Sequence, residues 1–303
     1  MDLADKVEGC ILGGALGDGY GRPFEGTKGP VRLHEVRRLV ISDDTQMTLA
    51  TCEAITEQRA VSPKHIAANL AAWYQAGRIT NVGSSTHKAL SELIVGGHWA
   101  LTGRKGEMAA GNGAAMRIAP LAFCLDPSIS ENRRILRDVC RITHHSEEAY
   151  AGALAIAIAI RAACQEAWSG TDSLIELVAG AMPDTSVRDR LNQMSGQPLG
   201  TPIAALATRF GSSGYVVDSV PLALAGAERL PHLGFEAVLA HLVSAGGDTD
   251  TIASMAGQVM GALIGKSKLP IDLLQRLDGV DSISAAAAKF ATAVQANIFS
   301  QTV

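Results

Sequence analysis

The sequence predicts an all-α protein folded as one compact domain, and three observations carry that prediction. Apolar residues make up 47% of the 303 residues and charged residues 18%, which suffices for a large core and excludes a disordered chain. Alanine is the commonest residue while aromatic residues are only 4%, so the core must form by close approach of small side chains, which favours helices. Apolar residues also recur at helical spacing along most of the chain. We therefore expect residues 1–303 to form a single helical domain.

The periodicity predicts helices separated by short breaks rich in Gly or Pro. They are Thr45–Gln58, Pro63–Ala76, Ser84–Ile94, Ala114–Cys124, Glu131–Ile142, Ser146–Ser169, Asp172–Ala181, Asp218–Glu228, Gly234–Ser244, Asp250–Ile264 and Ile283–Ile298. Ala155–Ile160 alternates at period two, but it lies in a longer apolar run and favours a buried helix. Gly9–Gly29 is interpreted as a glycine-rich opening, and Pro183–Gly214 as a long surface or substrate-facing loop.

Charge and targeting patterns narrow the class of protein. The formal charge is 26 − 30 = −4, so extended nucleic acid is not an expected partner. The five cysteines show no metal-binding spacing and are typical of a reducing compartment. We find no signal peptide pattern, and the longest apolar stretch, Ala151–Ala163, is shorter than the ~20 residues that span a bilayer. These patterns predict a cytoplasmic protein that does not enter a membrane.

Two acidic motifs stand directly before predicted helices. The first is Ser42–Thr45, reading SDDT, and on its own it is explained by helix capping and the helix dipole. The second is Gly246–Thr251, reading GGDTDT. A cap explains one of Asp248 and Asp250 but leaves the other as a charge beside a helix of small residues. Few basic residues lie near either motif, so the charge needs another partner.

Oxygen ligands of this kind predict divalent metal. We expect two Mg²⁺ or Mn²⁺ ions bridged by a shared carboxylate, and zinc is disfavoured because neither motif contains His or Cys. Asp44 and Asp248 are 248 − 44 = 204 residues apart, so a metal site requires the fold to bring the two helix starts together. The alternative is two capped helices that never meet.

Three further segments carry candidate functional residues. Gly13–Gly19 fits neither the Walker nor the dinucleotide pattern, and Asp18 in it is interpreted as an acceptor for backbone N–H groups in a glycine-rich turn. Glu25 follows in an exposed setting and could reach the metals. Gly111–Arg117 starts with a Gly-Asn-Gly turn of the kind that accepts a phosphate or ribose. The His residues of Thr143–Ser146 lie at a helix junction, where a capping or core role is the simpler reading.

The motifs together resemble the ADP-ribosylglycohydrolase family, typified by the dinitrogenase reductase-activating glycohydrolase. They occur in the family's order, between Gly13 and Gly265: GGALGDGYGRPFE, SDDT, GNGAAMR, THHSEEA, GSSGYVVDSVPLAL and AGGDTDTIASMAGQVMGALIG. The pairing of SDDT with GGDTDT is the specific part. Ser42 stands where many members have Thr, which retains a hydroxyl, and Gly19-Tyr20 is an unusual pair that could alter the cleft wall.

The resemblance implies an all-α fold with two Mg²⁺ or Mn²⁺ ions at the base of an ADP-ribose cleft. The implied metal ligands are Ser42, Asp43, Asp44, Asp248, Asp250 and Thr251. The implied catalytic residues are Asp44, Glu25 and Asp250, with Asp44 or Glu25 as the proton-transfer group. The implied substrate-binding residues are Gly111, Asn112, Gly113, Ala114 and His144 on one wall and Gly211, Ser212, Gly214 and Tyr215 on the other.

Three functions are compatible with this resemblance. The leading one is hydrolysis at the anomeric ribose carbon, which releases ADP-ribose from an ADP-ribosylated protein, foremost at arginine, or from a small-molecule conjugate. The second is a module that binds ADP-ribose or neutralises an ADP-ribosylating toxin without turnover. The third is a metal phosphohydrolase that cuts the diphosphate. The sequence leaves the acceptor and the oligomeric state open.

Overall fold

A computed structural model describes residues 2–33 and 36–296, and this part of the chain is almost entirely helical. Its α-helices are α1 (Leu3–Gly21), α2 (Asp43–Gln58), α3 (Pro63–Gln75), α4 (Ser84–Ile94), α5 (Ala119–Cys124), α6 (Ser130–Arg141), α7 (Glu147–Cys164), α8 (Leu174–Ala181), α9 (Ser186–Ser195), α10 (Ile203–Phe210), α11 (Val216–Ala227), α12 (Leu230–Leu233), α13 (Phe235–Ser244), α14 (Thr249–Ile264), α15 (Ile271–Arg276) and α16 (Val280–Gln295). Short 3₁₀ helices span Arg22–Phe24, Glu107–Ala109, Asn112–Ala114 and Lys266–Lys268. The predicted all-α class is confirmed.

Only one small sheet occurs among the described residues. Two-residue strands, β1 (Arg104–Lys105) and β2 (His144–His145), pair in parallel. Across residues 2–33 and 36–296, no helix has the length and apolar character needed to cross a membrane.

The core is organised around α7, which begins at a capped N-terminus. The Ser146 hydroxyl accepts a hydrogen bond from the backbone N–H of Ala149 at 3.3 Å. Ala155–Ile160 lies inside this helix and is buried throughout, so the helical interpretation of the alternating run is correct. Because the helix is apolar on all sides, it can be stable only when other helices surround it.

The longest helix, α1, occupies a segment that we expected to be a glycine-rich opening. It runs antiparallel to α14, and glycines at every fourth position of α1 meet the small residues of α14. A β-carbon built at Gly13 would lie 2.3 Å from the carbonyl oxygen of Gly257, and one at Gly17 would lie 2.0 Å from that of Ala253. The close helix contact outweighs the poor helix propensity of glycine, which is why the expectation was wrong.

The expected loop Pro183–Gly214 is also largely helical, since it contains α9 and α10. The Thr185 hydroxyl caps α9 by accepting a hydrogen bond from the N–H of Arg188 at 3.3 Å. Val187, Leu191 and Met194 are buried at helical spacing along it. The periodic signal was present but spread over only two turns, which made it weak.

Other boundaries differ in detail. The predicted helix Ala114–Cys124 is divided into a 3₁₀ turn and α5, and Pro120 lies in the first turn of α5, where a missing N–H costs nothing. The last helix is described from Val280 to Gln295, and Ile298 lies outside the described residues. The short helices α12 and α15 were not predicted.

Candidate active site

The N-terminus of α2 is held by two side chains. The Ser42 hydroxyl accepts a hydrogen bond from the N–H of Asp44 at 3.3 Å, as an N-cap does. Asp18, which projects from α1, accepts hydrogen bonds from the N–H of Ser42 at 2.9 Å and from the N–H and hydroxyl of Thr45 at 3.2 and 2.5 Å. Asp18 is therefore an acceptor for backbone N–H groups as expected, but it lies in a helix and caps the next one.

The N-terminus of α14 meets that of α2. The Thr251 hydroxyl donates a hydrogen bond to Oδ2 of Asp44 at 3.2 Å, and the Ser42 hydroxyl donates to the same oxygen at 3.0 Å. The carboxylate of Asp250 accepts a hydrogen bond from the N–H of Thr251 at 2.9 Å. The fold thus brings the two acidic motifs together, and the alternative of two separate capped helices is excluded.

A third segment brings Glu25 to the same place. The N–H of Gly26 donates to the carbonyl oxygen of Gly247 at 2.8 Å, and the N–H of Gly247 donates to that of Thr27 at 2.9 Å. These bonds tie the exposed loop of Glu25 to the start of the second acidic motif. Ligand atoms of Glu25, Asp248 and Asp250 all lie within 4.8 Å of one another.

The two acidic motifs, Asp18 and Glu25 together form an acidic cluster of six carboxylates: Asp18, Glu25, Asp43, Asp44, Asp248 and Asp250. Three of these carboxylates form its buried part. Ligand atoms of Asp18, Asp44 and Asp250 also lie within 4.8 Å of one another, and all three side chains are buried. Burial, followed by the charges of Asp18 and Asp250, raises the pKa of Asp44 well above its usual range. Burial and the neighbouring carboxylates raise the pKa of Asp250 to about 8 and that of Asp43 to about 7.

The cluster has no counter-charge in the described part of the protein. None of the ion pairs between described residues involves one of its carboxylates. Oδ1 of Asp44 is buried and has no hydrogen-bond donor. Buried carboxylates that repel one another are costly, as is a buried oxygen without a donor, unless a cation joins them. The residues present therefore fit a hard divalent cation with oxygen ligands.

A cleft with a volume of about 370 Å³ opens above the carboxylates. Many predicted site residues line it: Glu25, Asp43, Asp44, Gly111, Asn112, Gly113, His144, Gly214, Asp248, Asp250 and Thr251. The lining also includes Met116, from the Gly111–Arg117 segment, and residues that the sequence did not single out: Asn81, Gly83, Ser84, Ser85, Thr86, Arg104 and Met108. Gly83–Thr86 is the N-terminal turn of α4, which the helix prediction at Ser84 could have identified as a binding element.

Five predicted residues lie outside the lining of the cleft. Ser42 is buried beneath it, where it contacts Asp44, and Ala114 is buried in the core. The carbonyl oxygen of Ser212 accepts from the N–H of Asp248 at 2.8 Å, so its backbone supports the second motif. Gly211 adjoins the Asp218 carboxylate. Tyr215 is 43% exposed and bridges to Gly111 through its backbone.

Asn112 lies in the cleft wall and also supports the acidic cluster. Its side-chain amide donates hydrogen bonds to Oδ2 of Asp248 at 2.5 Å and to the hydroxyl of Ser219 at 3.2 Å. This donor holds the Asp248 carboxylate in place and lowers its pKa, although burial raises the pKa more strongly.

A second, larger cavity of about 600 Å³ lies around Leu199–Ala204 and contains none of these carboxylates.

Comparisons with known proteins identify the family. The ADP-ribosylglycohydrolase family model matches residues 1–298. The chain is 30% identical to an uncharacterized protein of Archaeoglobus fulgidus over 86% of this chain and 88% of that one. It is 25% identical to the ADP-ribosylhydrolase ARH3 of Mus musculus, over 91% of this chain and 88% of that protein. It is also 25% identical to the ADP-ribosylarginine hydrolase Tri1 of Pseudomonas putida, over 90% of this chain and 74% of that protein.

A solved structure shares the fold. It is described as an ADP-ribosylglycohydrolase-related protein complex and matches with a TM-score of 0.74 at 26% identity, covering 97% of this chain and 99% of that one. Together with the family match over nearly the whole sequence, this confirms the resemblance that the motifs indicated. The protein is a member of the ADP-ribosylglycohydrolase family.

Proposed function

We propose that the protein is a metal-dependent hydrolase that cleaves the bond at the anomeric ribose carbon and releases ADP-ribose from an acceptor. The observation that carries this proposal is the buried acidic cluster without a counter-charge at the base of a cleft. Family membership supports the glycohydrolase class. The name of the relative Tri1, an ADP-ribosylarginine hydrolase, supports protein arginine as the first acceptor to test.

The residues proposed to hold two Mg²⁺ or Mn²⁺ ions are those of the two motifs: Ser42, Asp43, Asp44, Asp248, Asp250 and Thr251. The carboxylate of Asp18 lies close enough to those of Asp44 and Asp250 to act as a further ligand of the same ion. A divalent cation bound there would supply Lewis-acid stabilisation of the charge that develops during cleavage. The hydroxyls of Ser42 and Thr251 orient the Asp44 carboxylate, so that Oδ1 is left for the cation.

Proton transfer is best assigned to Glu25. Its carboxylate is exposed at the mouth of the cluster, where it can exchange protons with water and reach a bound substrate. Asp44, the other candidate, is buried, and one of its oxygens already accepts two hydrogen bonds. We therefore propose Asp44 as a group that binds and positions, and Glu25 as the group that moves the proton.

The other end of the cleft suits a diphosphate. The N-terminal turn of α4, whose first N–H groups have no partner within the helix, lines the cleft together with the Gly111–Gly113 turn. Arg104, on β1, adds a positive charge to the same lining. We propose that these elements hold the ADP moiety while the acidic cluster holds the distal ribose.

The decisive experiment incubates the protein and Mg²⁺ or Mn²⁺ with substrates in which ADP-ribose is linked to arginine, serine or a free small molecule. Mass spectrometry of the product then separates the three candidate functions. ADP-ribose supports the proposal, AMP supports diphosphate hydrolysis, and binding without any product supports a neutralising module. The matched variants are Asp44→Asn at the site and Asp272→Asn at an exposed position of α15.

The compartment is proposed on the state of the thiols. All five cysteines are free, and three of them, Cys10, Cys52 and Cys140, are buried. Unpaired thiols are typical of proteins from a reducing compartment, so we propose the cytoplasm. Localisation of a tagged full-length chain tests this proposal.

A further inference from the structure

A buried arginine lies behind the cleft wall without a carboxylate partner. Arg117 is 1% exposed, and burial lowers its pKa to about 10. None of the ion pairs between described residues includes it. Its shortest hydrogen bond, 2.6 Å from Nη2, goes to the hydroxyl oxygen of Thr143, and a longer one of 3.4 Å goes to the carbonyl oxygen of Val139. A side chain that is costly to bury is thus directed at one hydroxyl group.

Thr143 connects this arginine to a residue of the cleft. Its side chain is 0% exposed, and its hydroxyl oxygen lies 2.8 Å from Nδ1 of His144. A guanidinium can only donate, so the Thr143 oxygen accepts from Arg117. The hydroxyl hydrogen then has one acceptor within reach among the described residues, which is Nδ1 of His144.

The two tautomers of His144 are not equivalent in this arrangement. With the proton on Nδ1, the Thr143 oxygen would accept two hydrogen bonds and its own hydrogen would be buried without an acceptor, which costs free energy. With the proton on Nε2, the Thr143 oxygen accepts from Arg117 and its hydrogen is donated to Nδ1 of His144, so the buried hydroxyl is fully bonded. The geometry therefore selects the Nε2–H form.

We infer that Arg117 and Thr143 are positioning residues that hold His144 as a neutral imidazole with its proton on Nε2. Burial, followed by the charges of Arg117 and Arg104, lowers the pKa of His144 to about 3, which agrees with a ring that stays neutral. His144 is then a fixed hydrogen-bond donor at neutral pH and not a general acid or base. The acceptor for this donor would be an oxygen of a bound ADP-ribosyl group, so this consequence rests on the proposed function.

The ring edge that carries Nε2 faces the turn that forms the cleft wall. A β-carbon at Gly111 would lie 3.2 Å from Nε2 of His144, and one at Gly113 would lie 2.8 Å from Cε1. The backbone of His144 is held by its parallel pairing with Arg104. Glycine is therefore required beside the ring, and His144 lines the cleft that is proposed to hold the ADP-ribosyl group.

The test is a long-range ¹H–¹⁵N correlation spectrum of the imidazole groups in the full-length protein at pH 7.5. Signals of His144 are assigned by their loss in His144→Gln. His145 is an internal reference, because its Nε2 lies 2.6 Å from the carbonyl oxygen of Thr102 and must carry a proton to bond it. We expect wild-type His144 to show the Nε2–H pattern. An Nδ1–H or doubly protonated pattern would overturn the inference.

Variants of Thr143 test whether its hydroxyl group, rather than its packing, selects the tautomer of His144. Thr143→Val keeps the shape and removes the hydroxyl, so the Nδ1–H form should become populated, whereas Thr143→Ser should keep the wild-type pattern. A Thr143→Val spectrum identical to that of wild type would also overturn the inference. If this variant does not fold, Arg117→Met, which frees the Thr143 hydroxyl from its donor, serves the same comparison.

Binding provides a second readout that needs no turnover. Loss of the fixed donor should lower the affinity for ADP-ribose about tenfold in Thr143→Val, as measured by calorimetry. Thr143→Ser should keep the wild-type affinity. If the wild-type protein releases no ADP-ribose from any substrate but shows the Nε2–H pattern, the proposed function fails and the inference about His144 stands. Release of ADP-ribose together with an Nδ1–H pattern would instead support the proposed function and overturn the inference about His144.

Discussion

The hydroxyl of Thr251 lies 3.2 Å from Oδ2 of Asp44, which is 207 residues earlier in the chain. The Ser42 hydroxyl binds the same oxygen at 3.0 Å, while Oδ1 has no donor. One oxygen of Asp44 is thus saturated by the two acidic motifs and the other is free. This asymmetry orients the carboxylate before any cation is bound and explains why both motifs carry a hydroxyl next to their acids.

Replacing Asp44 with Asn should abolish metal binding and yet stabilise the metal-free protein. The amide can keep its oxygen at the Oδ2 position and place its NH₂ group at Oδ1, so it removes a charge that Asp18 and Asp250 repel. In the metal-free protein at pH 8 we expect the free energy of unfolding to rise by about 1 kcal/mol or more. Mg²⁺ at a hundred times its Kd should stabilise wild type by about 2.7 kcal/mol.

The same variant should gain nothing from Mg²⁺ or Mn²⁺ and should release no ADP-ribose. Differential scanning calorimetry with and without the ion, together with product release, checks both statements. Equal stabilisation of wild type and Asp44→Asn by the ion would contradict the proposed metal site. Asp272→Asn, at an exposed position, is the control for a simple loss of charge.

Thr251→Val should weaken metal binding without unfolding the protein. Valine retains the volume of Thr251 but cannot donate to Asp44, and loss of a group that orients a ligand typically lowers metal affinity about 10- to 100-fold. Thr251→Ser retains the hydroxyl and should stay close to wild type. Titration of Mn²⁺ by calorimetry measures the affinities, and equal affinity of the valine and wild-type proteins would refute this role.

Gly257→Ala should destabilise the protein strongly. A β-carbon at this position would lie 2.1 Å from the carbonyl oxygen of Gly13, so α1 and α14 must separate, at a cost of about 3 kcal/mol or more. Gly180→Ala in α8 is the matched control, because no atom lies within 4 Å of its added carbon. It should gain about 0.5–1 kcal/mol from higher helix propensity. Urea denaturation of both variants tests the pair, and similar effects would be inconsistent with this packing.

His144 should make the protein sensitive to acid. Its pKa is about 3 in the folded state and about 6.5 in an unfolded chain, so between these values the unfolded state binds a proton that the folded state does not. The free energy of unfolding should therefore fall by about 1.4 kcal/mol for each pH unit below 6.5. Above that pH the residue contributes no pH dependence.

The comparison with His144→Gln isolates this contribution. Between pH 7 and pH 5 the variant should lose about 2 kcal/mol less stability than wild type. His65→Gln, at an exposed position of α3, is the matched control. Chemical denaturation at a series of pH values measures the difference, and identical curves for wild type and His144→Gln would exclude a neutral buried histidine.

The sequence by itself was sufficient for the fold class and the family. Alanine-rich periodicity predicted most of the helices, including the buried run Ala155–Ile160 in α7. The motifs Ser42–Thr45 and Gly246–Thr251 stood out because their charges had no neighbouring counter-charge, and their order along the chain indicated the family. These signals are local, since periodicity, capping and charge balance are properties of short segments.

Only the tertiary structure decided what depends on contacts between distant segments. Gly9–Gly29 could not be recognised as helical from propensity, because α1 is stabilised by its fit against α14 rather than by its own residues. Asp18 joined the acidic cluster for the same reason, since the helix contact carries it to Asp44 and Asp250. The tautomer inferred for His144 likewise depends on Arg117, 27 residues earlier, which only the packed structure places beside Thr143.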